Sequence, residues 1–319
     1  MNNVLNQSPL IHDHLAVNPS ELLQDEIRRL ARDLIRAGHE HVSEIGQNPV
    51  VSVHQTRKRL KELRALLRMV RDSLGHQFYR TENIRLRDAG RLLSHARDCA
   101  VLIALFDEHF TRFGRDYSTY ALKAVREGLY KEHQEAVEAV VKGNAIQEVQ
   151  NALQQTEERI AMWPLHRKDF SLLMDGIWRV YRRGLGRLHK TRINPTDERL
   201  HEWRKQVKYL WYHTRMIAPA WPPLLSGLAK ALHNLSETLG DDHDLSVLTH
   251  KLHEASSIPS DLLLSQLYWA RQQQERLRRE AWSLGARLYT ESPKAFSARM
   301  KTYWVSAARP SKPQQTPQR

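Results

Sequence analysis

From Glu21 to Trp304 the apolar residues recur at intervals of three and four, the period of helices that bury one face. Strand-like alternation of apolar and polar positions is missing, and the pattern predicts an all-α chain. Breaks fall at Gly46 to Pro49, Gly75, Gly114, Gly143, Trp163-Pro164, Asn194-Pro195, Ala218 to Pro223, Gly240 and Ile258-Pro259. They divide the chain into roughly ten to twelve helices. Residues 1–20 and 306–319 are polar and aperiodic and are expected to be disordered tails.

The helical pattern repeats itself. When HQTRKRLKELRALLRMVR, from His54, is laid on HEWRKQVKYLWYHTRMIA, from His201, seven of eighteen positions are identical at a constant offset of 147. These are His54/His201, Arg57/Arg204, Lys58/Lys205, Lys61/Lys208, Leu63/Leu210, Arg68/Arg215 and Met69/Met216. Further on, Arg97-Asp98 lines up with His243-Asp244, one residue out of step, and upstream Arg29 and Arg32 loosely match Arg179 and Arg182. The expected organisation is a duplicated helical unit, residues 21–163 and 164–305. Two units are too few for a solenoid. They are expected to form two pseudo-symmetric antiparallel helical bundles with a basic groove between them.

On a helical wheel the first copy separates into two faces. Leu60, Leu63, Leu66, Leu67, Val70 and Leu74 point one way and form a core face. His54, Arg57, Lys58, Lys61, Arg64 and Arg68 point the other way. In the second copy Leu200, Trp203, Val207, Leu210 and Ile217 form the core face, while His201, Arg204, Lys205, Lys208 and Arg215 form the stripe with Trp211 and Tyr212 among them. Arg59 falls inside the first leucine face, where a buried stem with a snorkelling head is expected. A solvated helix face ordinarily mixes signs in i,i+4 pairs, whereas the first stripe meets no carboxylate until Asp72. Cations so arranged repel one another, and a bound polyanion would remove that cost.

Composition points the same way. The chain has 319 residues, 49 Lys and Arg against 36 Asp and Glu, and a formal charge of +13, which favours an anionic partner. Cys99 is the only cysteine, so no intramolecular disulfide can form and a Cys-based zinc site is excluded; no metal or cofactor is inferred. Neither a secretory leader nor an apolar run long enough for a membrane span stands out, so no membrane partner is inferred and a cytoplasmic protein is expected. Oligomeric state has no signature in the sequence.

Val53-His54-Gln55-Thr56-Arg57, Lys61-Glu62-Leu63-Arg64 and Ala96-Arg97-Asp98 resemble the first half of a CHAD domain, a helical domain with recurrent histidines. Leu200-His201-Glu202-Trp203-Arg204, Lys208-Tyr209-Leu210, Leu239-Gly240 and Asp244-Leu245 resemble the second half more closely. The resemblance spans most of residues 21–305. It implies two pseudo-symmetric bundles, a basic central cavity that binds inorganic polyphosphate and, for some members, association with polyphosphate granules; no nucleophile or carboxylate dyad is paired with the stripes, so binding rather than turnover is expected. His54, Arg57, Lys61, Arg64, His201, Arg204 and Lys208 carry over directly. Arg68 and Arg215 follow from the wheel, and Lys58 and Lys205 follow from it against the family habit. Arg29, Arg32, Arg91, Arg97, Arg179 and Arg182 are secondary candidates. The sequence departs from the family at Glu62, Tyr209 and Trp211, where basic residues are usual, and at Leu93-Ser94 and Cys99-Ala100. Asp98 and Asp244 are expected to cap helices rather than meet an anion.

Two other functions compete. Basic faces also bind nucleic acid by releasing counterions, and Trp211 and Tyr212 offer ring faces on which bases can stack. No helix-turn-helix spacing or aromatic RNA-binding signature accompanies them, however. A metal-dependent phosphohydrolase would draw on Asp241, Asp242, His243, Asp244, His250 and His253, whose spacing matches no metal motif.

Overall fold

Proline opens three of the long helices, at Pro49, Pro222 and Pro293, where its missing N–H costs nothing and its fixed φ suits the first turn. Elsewhere side chains do the capping: Thr196 Oγ1 accepts the backbone N–H of Arg199 and Ser292 Oγ that of Ala295. The computed structural model describes residues 14–113, 120–255 and 258–308. Its α-helices are α1 (Leu23–Ser43), α2 (Pro49–Met69), α3 (Arg71–Leu74), α4 (His76–Leu92), α5 (Ser94–Phe113) and α6 (Tyr120–Lys142). They continue with α7 (Ala145–Arg159), α8 (Ser171–Ile193), α9 (Asp197–Ile217), α10 (Pro222–Glu254), α11 (Ser260–Leu288) and α12 (Pro293–Ala307). No strand occurs among the described residues, as the hydrophobic period requires.

Packing partners follow the same order in both parts of the chain. α1 packs on α2 and α7, α2 on α4, and α5 on α6; later α8 packs on α9 and α12, α9 on α10, and α10 on α11. The long α10 therefore occupies the place that α4 and α5 share. It runs unbroken through Gly240, where a break was expected. The glycine serves a close approach instead, since a Cβ there would lie 2.8 Å from Arg204 Nη2. Asp244 consequently sits inside a helix and Asp98 lies past the first turn of α5, so neither caps a helix end.

All six leucines and valines of the first core face and all five residues of the second are buried. They join one hydrophobic cluster running from Leu15 to Trp304 through both parts. A smaller cluster, including Leu102, Phe106, Leu129, Leu248, Leu252 and Leu262, ties α5 and α6 to α10 and α11. At the centre α2 and α9 cross antiparallel: Arg215 Nη1 meets Glu62 Oε1 at 3.4 Å, His213 Nε2 donates to Ala65 O at 2.9 Å, and Arg68 Nη2 donates to Tyr209 Oη at 3.3 Å. The first and last of these pairs interchange under the 147-residue offset. α8 also approaches α2 closely, and a Cβ at Gly176 would come within 2.0 Å of Met69 O. With α5 touching α2 and α10, the four helices α2, α5, α10 and α9 form a ring of contacts.

Residues 14–20, expected to lie in a disordered tail, are tied down. Val17 N–H donates to Met216 O, Asn18 N–H to Glu26 Oε2, and Leu15 and Val17 are buried. Two apolar residues in an irregular segment are too short a signal for a periodicity reading. α12 likewise carries residues 306 and 307 of the expected C-terminal tail. Residues 1–13 and 309–319 of the expected tails, and the Gly114 break, lie outside the described residues.

Candidate anion-binding groove

Within the ring, α2 places His54, Arg57, Lys58 and Lys61 on one wall with Arg97 from α5, and α9 places Arg204 and Lys208 on the other. Burial, then Arg97, Lys61, Lys58 and Lys208, pushes the His54 imidazolium down to about 4, so His54 is neutral at pH 7. Burial, then Lys208, Arg57 and Arg204, pushes the Lys61 ammonium down to about 7 against the pull of Asp98. Yet Lys61 remains open to solvent. A side chain crowded by protein and still reachable by water lines a concavity. Lys208 and Arg97 are also lowered, first by burial; Arg204, Glu237, Asp244 and Arg97 surround Lys208, and Asp244 and Asp98 partly offset the loss at Arg97.

The matched arginines are anchored from below. Arg57 Nη1 donates to Gly90 O and to Ser94 Oγ (2.6 Å), with Asp98 3.9 Å from Nη2. Arg204 Nε donates to Ser236 O at 3.4 Å and rests on Gly240. Gly90 and Ser94 stand to Arg57 as Ser236 and Gly240 stand to Arg204. Each guanidinium thus pins its wall while contributing positive charge to the opening.

Carboxylates line the second wall as well, and this the sequence reading missed. Burial, then Asp244, Glu237 and Glu108, raises Asp241 to about 6 against Arg204. Asp244 is raised by burial against Arg204, His243 and Arg97. These groups project from successive turns of α10 toward cations of α9 and α5, a relation visible only once the helices are packed. His201 packs against His243 with the rings tilted by 44° and their centroids 4.7 Å apart, and burial followed by His243, Lys205 and Arg204 lowers its pKa.

The family model of the CHAD domain matches residues 26–253. This chain belongs to the CHAD domain family. The crystal structure of the CHAD domain from the plant Ricinus communis shares its fold, with a TM-score of 0.61 at 16% identity over 90% of this chain and 94% of that one. No curated protein is similar enough in sequence to count as a relative. No helix among the described residues is long and apolar enough to cross a membrane.

The other candidates of this CHAD chain lie around the groove in different states. Arg64 donates to Asn83 Oδ1 at 3.1 Å and is lowered by burial, with Arg68 and Arg87 nearby. Arg68 lies over the Tyr209 ring, 4.1 Å from its centroid. Lys205 is ion-paired with Glu202, which also faces Arg187. Arg215 and Arg59 share the fully buried Glu62, Arg59 Nη1 at 2.6 Å, so the expected snorkelling of Arg59 is replaced by an inward ion pair. Tyr212, placed on the stripe by the wheel, is buried at the crossing, while Trp211 is flanked by His233, Arg215 and Lys208.

Among the secondary candidates only Arg97 joins the centre. Arg29 is held by Glu26, Asp33 and Ala16 O, Arg91 faces Asp88, and Arg179 is paired with Asp72. Arg182 lies over Trp178 and Arg32 is exposed on α1. Arg183, not singled out in the sequence, adds to Arg68, Arg71 and Arg179 at the junction of α2 and α8. The run from Asp241 to His253 diverges around α10: Asp242 is buried on Arg278 at 2.6 Å, His243 faces His201, and His250 pairs with Glu254.

Proposed function

We propose that this CHAD chain binds inorganic polyphosphate, without catalysis, in the groove between α2 with α5 and α9 with α10. The observation that carries the reading is the convergence of Lys61 and Lys208, one from each wall, with Arg57 and Arg204; burial first, and then these cations, push the Lys61 ammonium down to about 7. Like charges gathered in a concavity destabilise one another. A flexible chain of phosphates relieves that repulsion at several points at once, with Arg supplying forked donors and Lys point charges. We read residues 21–163 and 164–305 as the duplicated unit; the interchangeable pairs at the α2–α9 crossing and the equivalent seats of Arg57 and Arg204 support it. A role at polyphosphate granules follows from the same reading.

Isothermal titration of the whole chain with long-chain polyphosphate, orthophosphate and a DNA duplex at two salt concentrations tests the proposal. Polyphosphate is expected to bind most tightly, with affinity falling as salt rises. Tighter binding of DNA, or no binding of polyphosphate, overturns it. Hydrolysis of the polyphosphate during the titration overturns the non-catalytic part.

A further inference from the structure

On the outer side of α5, a second cluster of chemistry-bearing side chains stands apart from the groove. His95 and Cys99, one helical turn apart, share a face, and Glu132 of α6 reaches the same point. Their candidate ligand atoms all lie within 4.8 Å of one another. His95 Nδ1 is 3.7 Å from Cys99 Sγ, and His95 Nε2 is 3.9 Å from Glu132 Oε1. Arg97, two residues from each of the α5 pair, points to the opposite side of the helix, into the groove.

We propose that His95, Cys99 and Glu132 hold a divalent cation of the zinc class. Around a tetrahedral zinc ion with bonds of roughly 2.0–2.3 Å, neighbouring ligand atoms stand about 3.3–3.8 Å apart. Small rotations of the exposed His95 and of the flexible Glu132 bring the three atoms to that spacing without moving either helix. The donor set of one thiolate, one imidazole and one carboxylate favours zinc over the oxygen-seeking magnesium and calcium ions. Three protein ligands leave a fourth position for water on the solvent side, where His95 is exposed. Binding releases the Cys99 thiol proton to solvent.

Lys251 is the competitor. Its Nζ lies 3.3 Å from Glu132 Oε2, and Glu254, 3.8 Å away, offers it a second carboxylate once the metal takes Glu132. The exclusion of a Cys-based zinc site rested on the single cysteine, and the expectation of no other metal on spacing along the chain. His95 and Cys99 do have helical spacing, but their third partner comes from the next helix and is visible only after folding.

The test is titration of the metal-free full chain with cobalt(II) and zinc(II). Cobalt is expected to give one equivalent with a near-ultraviolet thiolate-to-cobalt charge-transfer band, displaced by zinc. Cys99→Ser removes the band, and His95→Ala and Glu132→Gln each weaken binding by about a hundredfold, since even partners outside the ligand shell are commonly worth 10–100-fold. Lys251→Met, which removes the competing cation, tightens binding several-fold. Circular dichroism confirms that each variant is folded, and His95→Ala, on an exposed side chain, keeps the test valid if Cys99→Ser unfolds. The chain has 17 histidines that could bind metal loosely. No charge-transfer band in the wild type, or affinities unchanged in His95→Ala and Glu132→Gln, overturns the proposal.

Discussion

The two walls of the groove are built from similar sequences and yet carry charge differently. On the first, Lys61 lies among Lys208, Arg57 and Arg204 with Asp98 as its relief, while Arg97 faces Asp244 across the groove and Asp98 on its own helix. On the second, Lys205 is paired with Glu202, Arg215 with Glu62, and Asp241, Asp244 and Glu237 surround Arg204 and Lys208. Matching residues at a constant offset therefore have different work: a cation already neutralised by a carboxylate has little left for a ligand, whereas an unrelieved one gains the most. The first wall is expected to supply most of the affinity, and the second to fasten the bundle and moderate the field.

The largest effect is expected where the walls are fastened. Glu62→Ala leaves the Arg59 and Arg215 guanidiniums without their buried carboxylate and should lower stability by about 3–5 kcal/mol in denaturant unfolding. A neutral result would show that the Arg59–Glu62–Arg215 cluster does not fasten the walls. Charge reversal at Lys61 and Arg97 together should weaken polyphosphate binding by at least about a hundredfold, two charge-assisted contacts being worth roughly 3 kcal/mol or more. Helix content should be unchanged.

The direct comparison between walls is Lys61→Ala against Lys205→Ala. About a tenfold loss is expected for the first and less than about twofold for the second, by titration calorimetry. Equal losses would erase the asymmetry.

Protonation sharpens it further. A bound polyanion raises the Lys61 pKa above its free value of about 7, so the charged form is the one that binds. Affinity should be level just below pH 7 and fall by up to about tenfold per unit as pH rises above 7, with proton uptake at pH 7.5. Lys61→Arg should flatten this profile, because a guanidinium stays charged. The smallest effect belongs to Asp241→Asn, which removes a carboxylate from the second wall and should raise affinity by about twofold to threefold at pH 7.

Much of the site was legible before folding was considered. Both basic stripes were read from helical period alone, because the cations and the core leucines are segregated on the wheel. The same wheel put Lys205 and Arg215 on one stripe with Lys208 as if alike: it assigns a direction but no partner, and the carboxylates that face Lys205 and Arg215 lie on a neighbouring turn or another helix. Gly240 and Asp244 were misread as a helix end for a related reason. A glycine and an aspartate favour helix ends locally, but the seat of the Arg204 guanidinium on α10 makes the glycine an interior contact.

The sequence by itself determined an all-helical chain, its core faces, its cationic stripes and its kinship with the CHAD domain, because these depend on residue spacing within single helices. Only the tertiary structure decided which cations stay unrelieved, that Arg97 joins the groove while Arg29 and Arg179 are held in ion pairs, that α10 supplies opposing carboxylates, and that His95, Cys99 and Glu132 meet. Electrostatic interactions act across space between helices distant along the chain, and a one-dimensional period carries no record of those distances.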